Sequence, residues 1–104
     1  MENLIDELCT LTIKHDLKWD TIDHLIIDGQ PYYQKFQHIL ADKSFFTSYK
    51  SQTIIVLYGE VRDFLRQRTV SNFFLQTYVN GQIKRLEFPE VEIVKLHTLI
   101  SLSL

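Results

Sequence analysis

The hydrophobic and polar positions of this chain change their spacing near its middle. In the first half, apolar side chains recur every three or four residues, which predicts a helix from Asn3 to His15 and another from Tyr32 to about Asp42. Residues Thr21–Ile27 predict a shorter helix that runs into an extended segment before a turn at Asp28-Gly29. From Thr53 onward, β-branched and aromatic residues dominate, which is typical of strands.

Residues Asn80-Gly81 give the clearest local prediction, a type I′ turn between two strands. The turn sets Val79 opposite Gln82 and so fixes the register of the hairpin. One face of the hairpin is apolar and suited to a core. It carries Phe73, Leu75, Leu86 and Phe88. The other face is half aromatic and half polar. It carries Phe74, Gln76, Tyr78, Ile83, Arg85 and Glu87.

The mixed face of this hairpin is too apolar for an ordinary solvated surface and too polar for a sealed core. We therefore expect another chain to cover it. Aromatic and arginine side chains of this kind are frequent anchors of protein interfaces. The predicted protein-binding residues are Phe74, Gln76, Tyr78, Ile83 and Arg85.

Further segments complete the predicted sheet. Thr53–Tyr58 is expected to be a strand that Gly59 closes, and Val94–Leu102 alternates as a last strand. Residues Val61–Thr69 fit either a helix or the wide, charged end of a long hairpin. The sum is one domain, residues 1–104, of the α+β class, with two or three helices packed on an antiparallel sheet of four or five strands.

Composition restricts the function classes. The net charge of -2 gives no global attraction to nucleic acid or an anionic membrane. The longest apolar run, Ile54–Tyr58, is too short to span a bilayer, and a single cysteine, Cys9, fits a buried helix position in a reducing compartment. We therefore expect an intracellular protein with no membrane contact and no direct nucleic-acid binding.

Local charge and candidate chemistry are sparse. The cationic group is interpreted as a solvated hairpin end, with a nucleic-acid or acidic-partner patch as the alternative. Its members are Arg62, Arg66, Arg68, Lys84 and Arg85. No catalytic motif, metal-ligand spacing or phosphate-binding loop occurs, so we expect no catalytic residue, metal or cofactor. The aspartates around Trp19 could supply a general base but are more typical of caps, turns and solvated positions. They are Asp16, Asp20, Asp23 and Asp28.

The order of the predicted elements resembles that of the nuclear transport factor two-like family. That order is a helix, an acidic stretch, a short extended segment, a second helix and then antiparallel strands. Three segments carry the resemblance. They are Ile54–Gly59, Phe74–Tyr78 and Gln82–Phe88. The chain departs from the family at Thr47–Gln52, which leaves no room for an extra strand, and in its last strand, which lacks an acidic-aromatic-arginine signature.

The resemblance implies a cone-like fold in which helices pack on the concave face of a bent antiparallel sheet. The opposite face would pair with a second cone-fold domain, in a homodimer or with a larger messenger-RNA export receptor. The implied function is a non-enzymatic module of nucleocytoplasmic transport, in the nucleus and cytoplasm, with nucleoporin repeats or the GTPase Ran as further partners.

Two alternative functions stay open. The first is a small cone-fold enzyme or ligand-binding protein that uses the interior cavity. Its titratable candidates are Asp16, Asp20, Asp28 and Tyr58. The second is a small inhibitor that acts by binding a host protein, for which a short acidic chain is suitable.

Overall fold

The computed structural model describes residues 3–104, which form two α-helices, a five-stranded antiparallel sheet and a small two-stranded sheet. The helices are α1 (Leu4–Ile13) and α2 (Glu90–Ser103). The strands are β1 (Asp20–Thr21), β2 (Ile26–Ile27), β3 (Gln30–Pro31), β4 (Phe45–Tyr49), β5 (Gln52–Asp63), β6 (Arg68–Val79) and β7 (Gln82–Arg85). The main sheet has the order β1-β4-β5-β6-β7, and β2 pairs with β3. The predicted α+β class is confirmed.

Helix α1 begins where the sequence predicts. The Asn3 side chain caps the helix by accepting a hydrogen bond from the backbone N–H of Asp6 at 2.8 Å. Its buried side chains then follow helical spacing. They are Ile5, Leu8, Cys9 and Thr12. The helix ends at Ile13, and His15 beyond it takes a positive φ of 60°.

The main sheet is buried on both faces at Ile54–Leu57 of β5. Ile54 and Val56 contact the core beneath the two helices, whereas Ile55 and Leu57 contact the chain between β1 and β4. All four side chains are at most 1% exposed. The continuous apolar run of this strand follows from its position between two layers. We call the second layer, residues 22–41, the cover segment.

The turn at Asn80-Gly81 is confirmed, with positive φ values of 53° and 79°. Val79 pairs with Gln82 in the predicted register. On the face toward the helices, Leu75 is fully buried. The three other apolar residues of that face, Phe73, Leu86 and Phe88, pack against the same core.

Strand β5 does not end at Gly59 as predicted but continues to Asp63, which pairs with Arg68 of β6. Residues Val61–Thr69 therefore form the end of a long hairpin, so that alternative is confirmed and the helical one is wrong. The strand favours glycine at position 59, because the Cβ atom of any other residue there would lie only 3.1 Å from the backbone oxygen of His38.

The predicted helix from Tyr32 to about Asp42 is wrong. The structure has a 3₁₀ turn at Tyr32–Lys35, after which Phe36 is extended. The chain then runs along the edge of β5, where the backbone N–H of Leu40 donates to the Tyr58 oxygen at 2.9 Å. Pairing with β5 satisfies the backbone N–H and C=O groups that a helix would satisfy internally. The sequence pattern of residues 32–42 does not show that β5 is available as a partner.

The predicted helix at Thr21–Ile27 is also wrong, because only the 3₁₀ turn Ile22–His24 forms before Leu25 becomes extended. The turn at Asp28-Gly29 is confirmed, with φ values of 55° and 79°, and it joins β2 to β3. The short extended segment that was predicted before this turn is β2.

The predicted last strand at Val94–Leu102 is wrong, because these residues lie in α2. The buried side chains of α2 follow helical spacing. They are Ile93, Leu96 and Ile100. Pro89 stands at the N-cap, and Glu90 and Glu92 lie in the first turn, where the helix dipole favours negative charge.

The expectation that Thr47–Gln52 leaves no room for a strand is wrong as well. Thr47 lies inside β4, which pairs with β5 in an antiparallel hairpin. Lys50 and Ser51 form the turn, with positive φ values of 46° and 64°. Neither residue is a typical turn former at positive φ, so the sequence carried no signal for this hairpin.

Candidate interaction surface

The five predicted protein-binding residues lie on one surface of the sheet. Phe74, Gln76 and Tyr78 alternate along β6 and are half-buried, whereas Ile83 and Arg85 lie on β7 and are exposed. The strand register sets Gln76 opposite Arg85 and Tyr78 opposite Ile83. The hairpin therefore brings all five side chains together as the sequence predicts.

The cover segment packs against the β6 residues of this surface, which form its inner part. Phe74 and Tyr78 contact a cluster of its buried side chains. These are Ile22, Leu25, Ile27 and Tyr32. The Tyr32 hydroxyl donates a hydrogen bond to Gln76 Oε1 at 2.7 Å, and burial raises the pKa of this phenol. For the inner part of the surface, the chain itself supplies the cover that was expected from another chain.

An open groove of about 370 Å³ remains where the cover segment ends. Its apolar lining consists of Phe36, Ile39, Gly59, Val61 and Phe74. Lys35 and His38 also line it, and no described lining residue carries a carboxylate. The Arg85 guanidinium carbon lies 5.3 Å from the centre of the Phe74 ring, in a cation–π contact. The groove therefore combines an apolar floor with a cationic rim.

A second polar and aromatic cluster lies between the sheet and α2. The His97 ring stacks on Tyr58 with centroids 5.5 Å apart, and its Nε2 atom lies 2.7 Å from the backbone oxygen of Lys43. Nε2 must carry a proton to donate to that oxygen. The Tyr58 hydroxyl donates to the Glu60 carboxylate at 2.7 Å. Sequence reasoning missed His97 as a contact residue because it placed Val94–Leu102 in a strand. These contacts hold α2 on the sheet.

The titratable candidates of the enzyme hypothesis lie in three separate places. Asp16 and Asp20 line an open groove, Asp28 lies in the exposed turn between β2 and β3, and Tyr58 lies in the cluster beneath α2. The hydrogen bond from the His24 ring, 2.8 Å from Asp20 Oδ1, lowers the pKa of this carboxyl. A lowered pKa makes Asp20 a weaker proton acceptor.

The cysteine Cys9 is buried in α1 as predicted, and burial raises the pKa of its thiol. Within residues 3–104, no three side chains of His, Cys, Asp or Glu lie close enough together to hold a metal ion. Neither helix of this part of the chain is long and apolar enough to cross a membrane.

No protein-family model, curated protein or solved structure matches this chain. The resemblance to the nuclear transport factor two-like family therefore rests on the three sequence segments named above and stays a prediction. The second sheet face is the face that carries Phe74, Gln76 and Tyr78, and its outer part is the area that the cover segment leaves open. Within the described residues, this outer part is the strongest candidate site. It combines exposed Ile83 and Arg85 with the open groove beside Phe74.

Proposed function

We propose that the chain is a non-enzymatic protein-binding module that pairs with a second copy of itself through the outer part of its second sheet face. The observation that carries the proposal is the apolar surface that the cover segment leaves accessible. Ile83 is 39% exposed on the edge strand, and the groove beside Phe74 is open. Exposed apolar surface with a charged rim is typical of protein interfaces.

Charge supports a second copy as the partner. Arg85 is the last residue of β7 and Glu87 stands two positions beyond it, and both are exposed. A two-fold axis near Leu86 would set Arg85 of one copy opposite Glu87 of the second copy. Because a two-fold interface uses the same patch on both subunits, these two residues would form two ion pairs across it.

The nuclear transport factor two-like resemblance suggests a more specific function for this pairing. The pair would act as a transport module between nucleus and cytoplasm, either as a homodimeric carrier or with a larger export receptor in place of the second copy. Nucleoporin repeats and the GTPase Ran would be its further partners. This specific function is supported by three short sequence segments, whereas the pairing is supported by the surface itself.

Sedimentation velocity of matched variants tests the pairing surface. Ile83→Glu introduces a charge into the proposed interface. Val79→Glu introduces the same charge at a strand residue of similar exposure, 37%, on the opposite face of the hairpin. We expect Ile83→Glu to raise the dimer dissociation constant about tenfold or more, and Val79→Glu to change it less than about twofold.

Charge reversal tests the proposed ion pair separately. Arg85→Glu and Glu87→Arg should each weaken the dimer, and the double variant should recover most of the loss because it re-forms the pair with opposite polarity. The proposal is overturned if the double variant dimerises no better than the single variants. It is also overturned if Val79→Glu weakens the dimer as much as Ile83→Glu does.

A further inference from the structure

The outer end of the hairpin formed by β5 and β6 extends beyond the groove beside Phe74, which Val61 lines at the base of this end. We call residues 60–71 the arm. Its strands stay paired as far as Asp63 and Arg68, roughly 10 Å beyond its first residue at about 3.4 Å per residue. At its tip, Phe64 is 79% exposed and Leu65 is 98% exposed. Two neighbouring apolar side chains therefore stand in solvent at the end of a two-stranded ribbon.

Arginine side chains lie on both faces of the arm. Arg62 pairs with Thr69, and Arg68 pairs with Asp63 in the next position of the ladder. Because successive side chains of a strand point to opposite faces, Arg62 and Arg68 project on opposite sides of the ribbon. Arg66 lies in the turn between the strands. Among the described residues, no ion pair includes Arg62 or Arg68.

The carboxylate nearest the tip is engaged by the turn itself. Asp63 Oδ1 accepts hydrogen bonds from the backbone N–H groups of Leu65 at 3.1 Å and Arg66 at 3.2 Å. The Arg66 Nε atom lies 3.8 Å from the other oxygen of Asp63. The second carboxylate of the arm, Glu60 at its base, accepts a hydrogen bond from the Tyr58 hydroxyl at 2.7 Å. The arm therefore carries three arginines against two engaged carboxylates, although the whole chain is slightly acidic.

We propose that the arm binds the major groove of B-form DNA. A two-stranded ribbon fits this groove, which is about 12 Å wide and about 8.5 Å deep. Arginines on both faces of a ribbon can reach phosphates on both walls of a groove, whereas a flat membrane would meet the tip alone. The planar guanidinium matches phosphate oxygens well, and Phe64 and Leu65 can contact thymine methyl groups at the groove floor.

An alternative is that the arm of one copy binds the groove beside Phe74 of a second copy, and the charges of the two surfaces exclude it. The groove beside Phe74 has a cationic rim of Lys35 and Arg85, so it would repel the arginines of the arm of a second copy. The sequence alone favoured a solvated hairpin end and no direct nucleic-acid contact. The strand register adds the observation that the sequence lacked, because it places the arginines on both faces of a protruding ribbon.

Fluorescence anisotropy with a labelled DNA duplex of two helical turns tests the arm. We expect the variant Arg62→Gln/Arg68→Gln to weaken binding about tenfold and to reduce the dependence of affinity on salt. Lys84→Gln/Lys95→Gln is the matched control, because it removes the same charge from two exposed lysines outside the arm. It should change the affinity less than about twofold, and circular dichroism confirms that each variant is folded.

The apolar tip is tested by Phe64→Ser/Leu65→Ser, which keeps every arginine but removes the cation–π contact in which the Arg62 guanidinium carbon lies 5.7 Å from the centre of the Phe64 ring. This variant should bind the duplex more weakly than the parent and retain the parental salt dependence. The proposal is overturned if the parent does not bind the duplex at low salt or if the lysine control loses as much affinity as the arginine variant. Tighter binding to an RNA duplex, or binding to phosphatidylserine vesicles without binding to DNA, also overturns it. Dimerisation should be unchanged in all of these variants, so the two proposals can fail independently.

Discussion

The Tyr32 hydroxyl donates a hydrogen bond to Gln76 Oε1 at 2.7 Å, across 44 positions of sequence. Tyr32 belongs to the cover segment, and Gln76 lies in the middle of β6. Their bond joins the cover segment to the second face of the sheet. Gln76, which the sequence placed in an interface with another chain, is thereby used within this one. The surface left for a partner moves outward, to β7 and the neighbouring groove.

Replacing Tyr32 by phenylalanine should lower the free energy of unfolding by about 1 kcal/mol. The variant keeps the ring in its cluster but removes the donor, so the half-buried Gln76 oxygen loses its partner. Denaturant unfolding at neutral pH measures the difference. Tyr33→Phe in the same 3₁₀ turn is the control and should cost less, and an equal loss in both variants would contradict a specific role of the Tyr32 bond.

The same tyrosine should produce a pH dependence of stability. Burial raises the pKa of Tyr32 above the ordinary tyrosine value of 10.0, and the hydrogen bond to Gln76 lowers it to a smaller extent. A pKa that is raised by folding contributes stability below the unfolded pKa, and this stability is lost as pH rises through the folded pKa. The stability difference between the parent and Tyr32→Phe should therefore shrink above about pH 10. Unfolding curves at alkaline pH measure it, and a constant difference would contradict the expected burial.

Replacing Thr12 by valine should destabilise the chain by about 1–3 kcal/mol. The Trp19 indole N–H donates to Thr12 Oγ1 at 2.9 Å, and this hydroxyl donates to the Leu8 backbone oxygen at 2.7 Å. The variant leaves a buried indole N–H without an acceptor. Thr10→Val on the same helix is the control, because the described bond of the Thr10 hydroxyl joins it only to the backbone oxygen of Asp6. A smaller loss for Thr12→Val than for Thr10→Val would refute this role.

Replacing Asp20 by asparagine should lower the pKa of His24. The hydrogen bond from Asp20 is the main cause that raises the pKa of His24, and the charges of Asp20 and Asp23 add to it. The pair's contribution to stability is lost as pH rises through the raised pKa of His24. It is also lost as pH falls through the lowered pKa of Asp20. A titration of the His24 ring by NMR measures the shift, with Asp16→Asn as a control that should leave it unchanged.

Prediction from the sequence succeeded where local residues determine the backbone. Asn80-Gly81 and Asp28-Gly29 favour positive φ, and Asn3 is a good N-cap, so two turns and the first helix follow from a few neighbouring positions. The hairpin face that carries the predicted binding residues follows from the same register.

Prediction failed where tertiary contacts decide between patterns that the sequence allows equally. From Val94 to Leu102 apolar residues fit an alternating strand, but Ile93, Leu96 and Ile100 also fit the helix that forms. In the cover segment, the chain pairs with β5 rather than forming a helix, and its partner lies far away in sequence. For the same reason, the bond between Tyr32 and Gln76, and therefore the division of the predicted surface into covered and open parts, could not be predicted.

The central functional claim is that the outer part of the second sheet face pairs two copies of this chain. The absolute molar mass of the purified protein, measured by light scattering over a range of concentrations, tests it most directly. We predict a mass that approaches twice the 12.4 kDa of one chain as concentration rises. A mass of 12.4 kDa at every concentration would contradict the account.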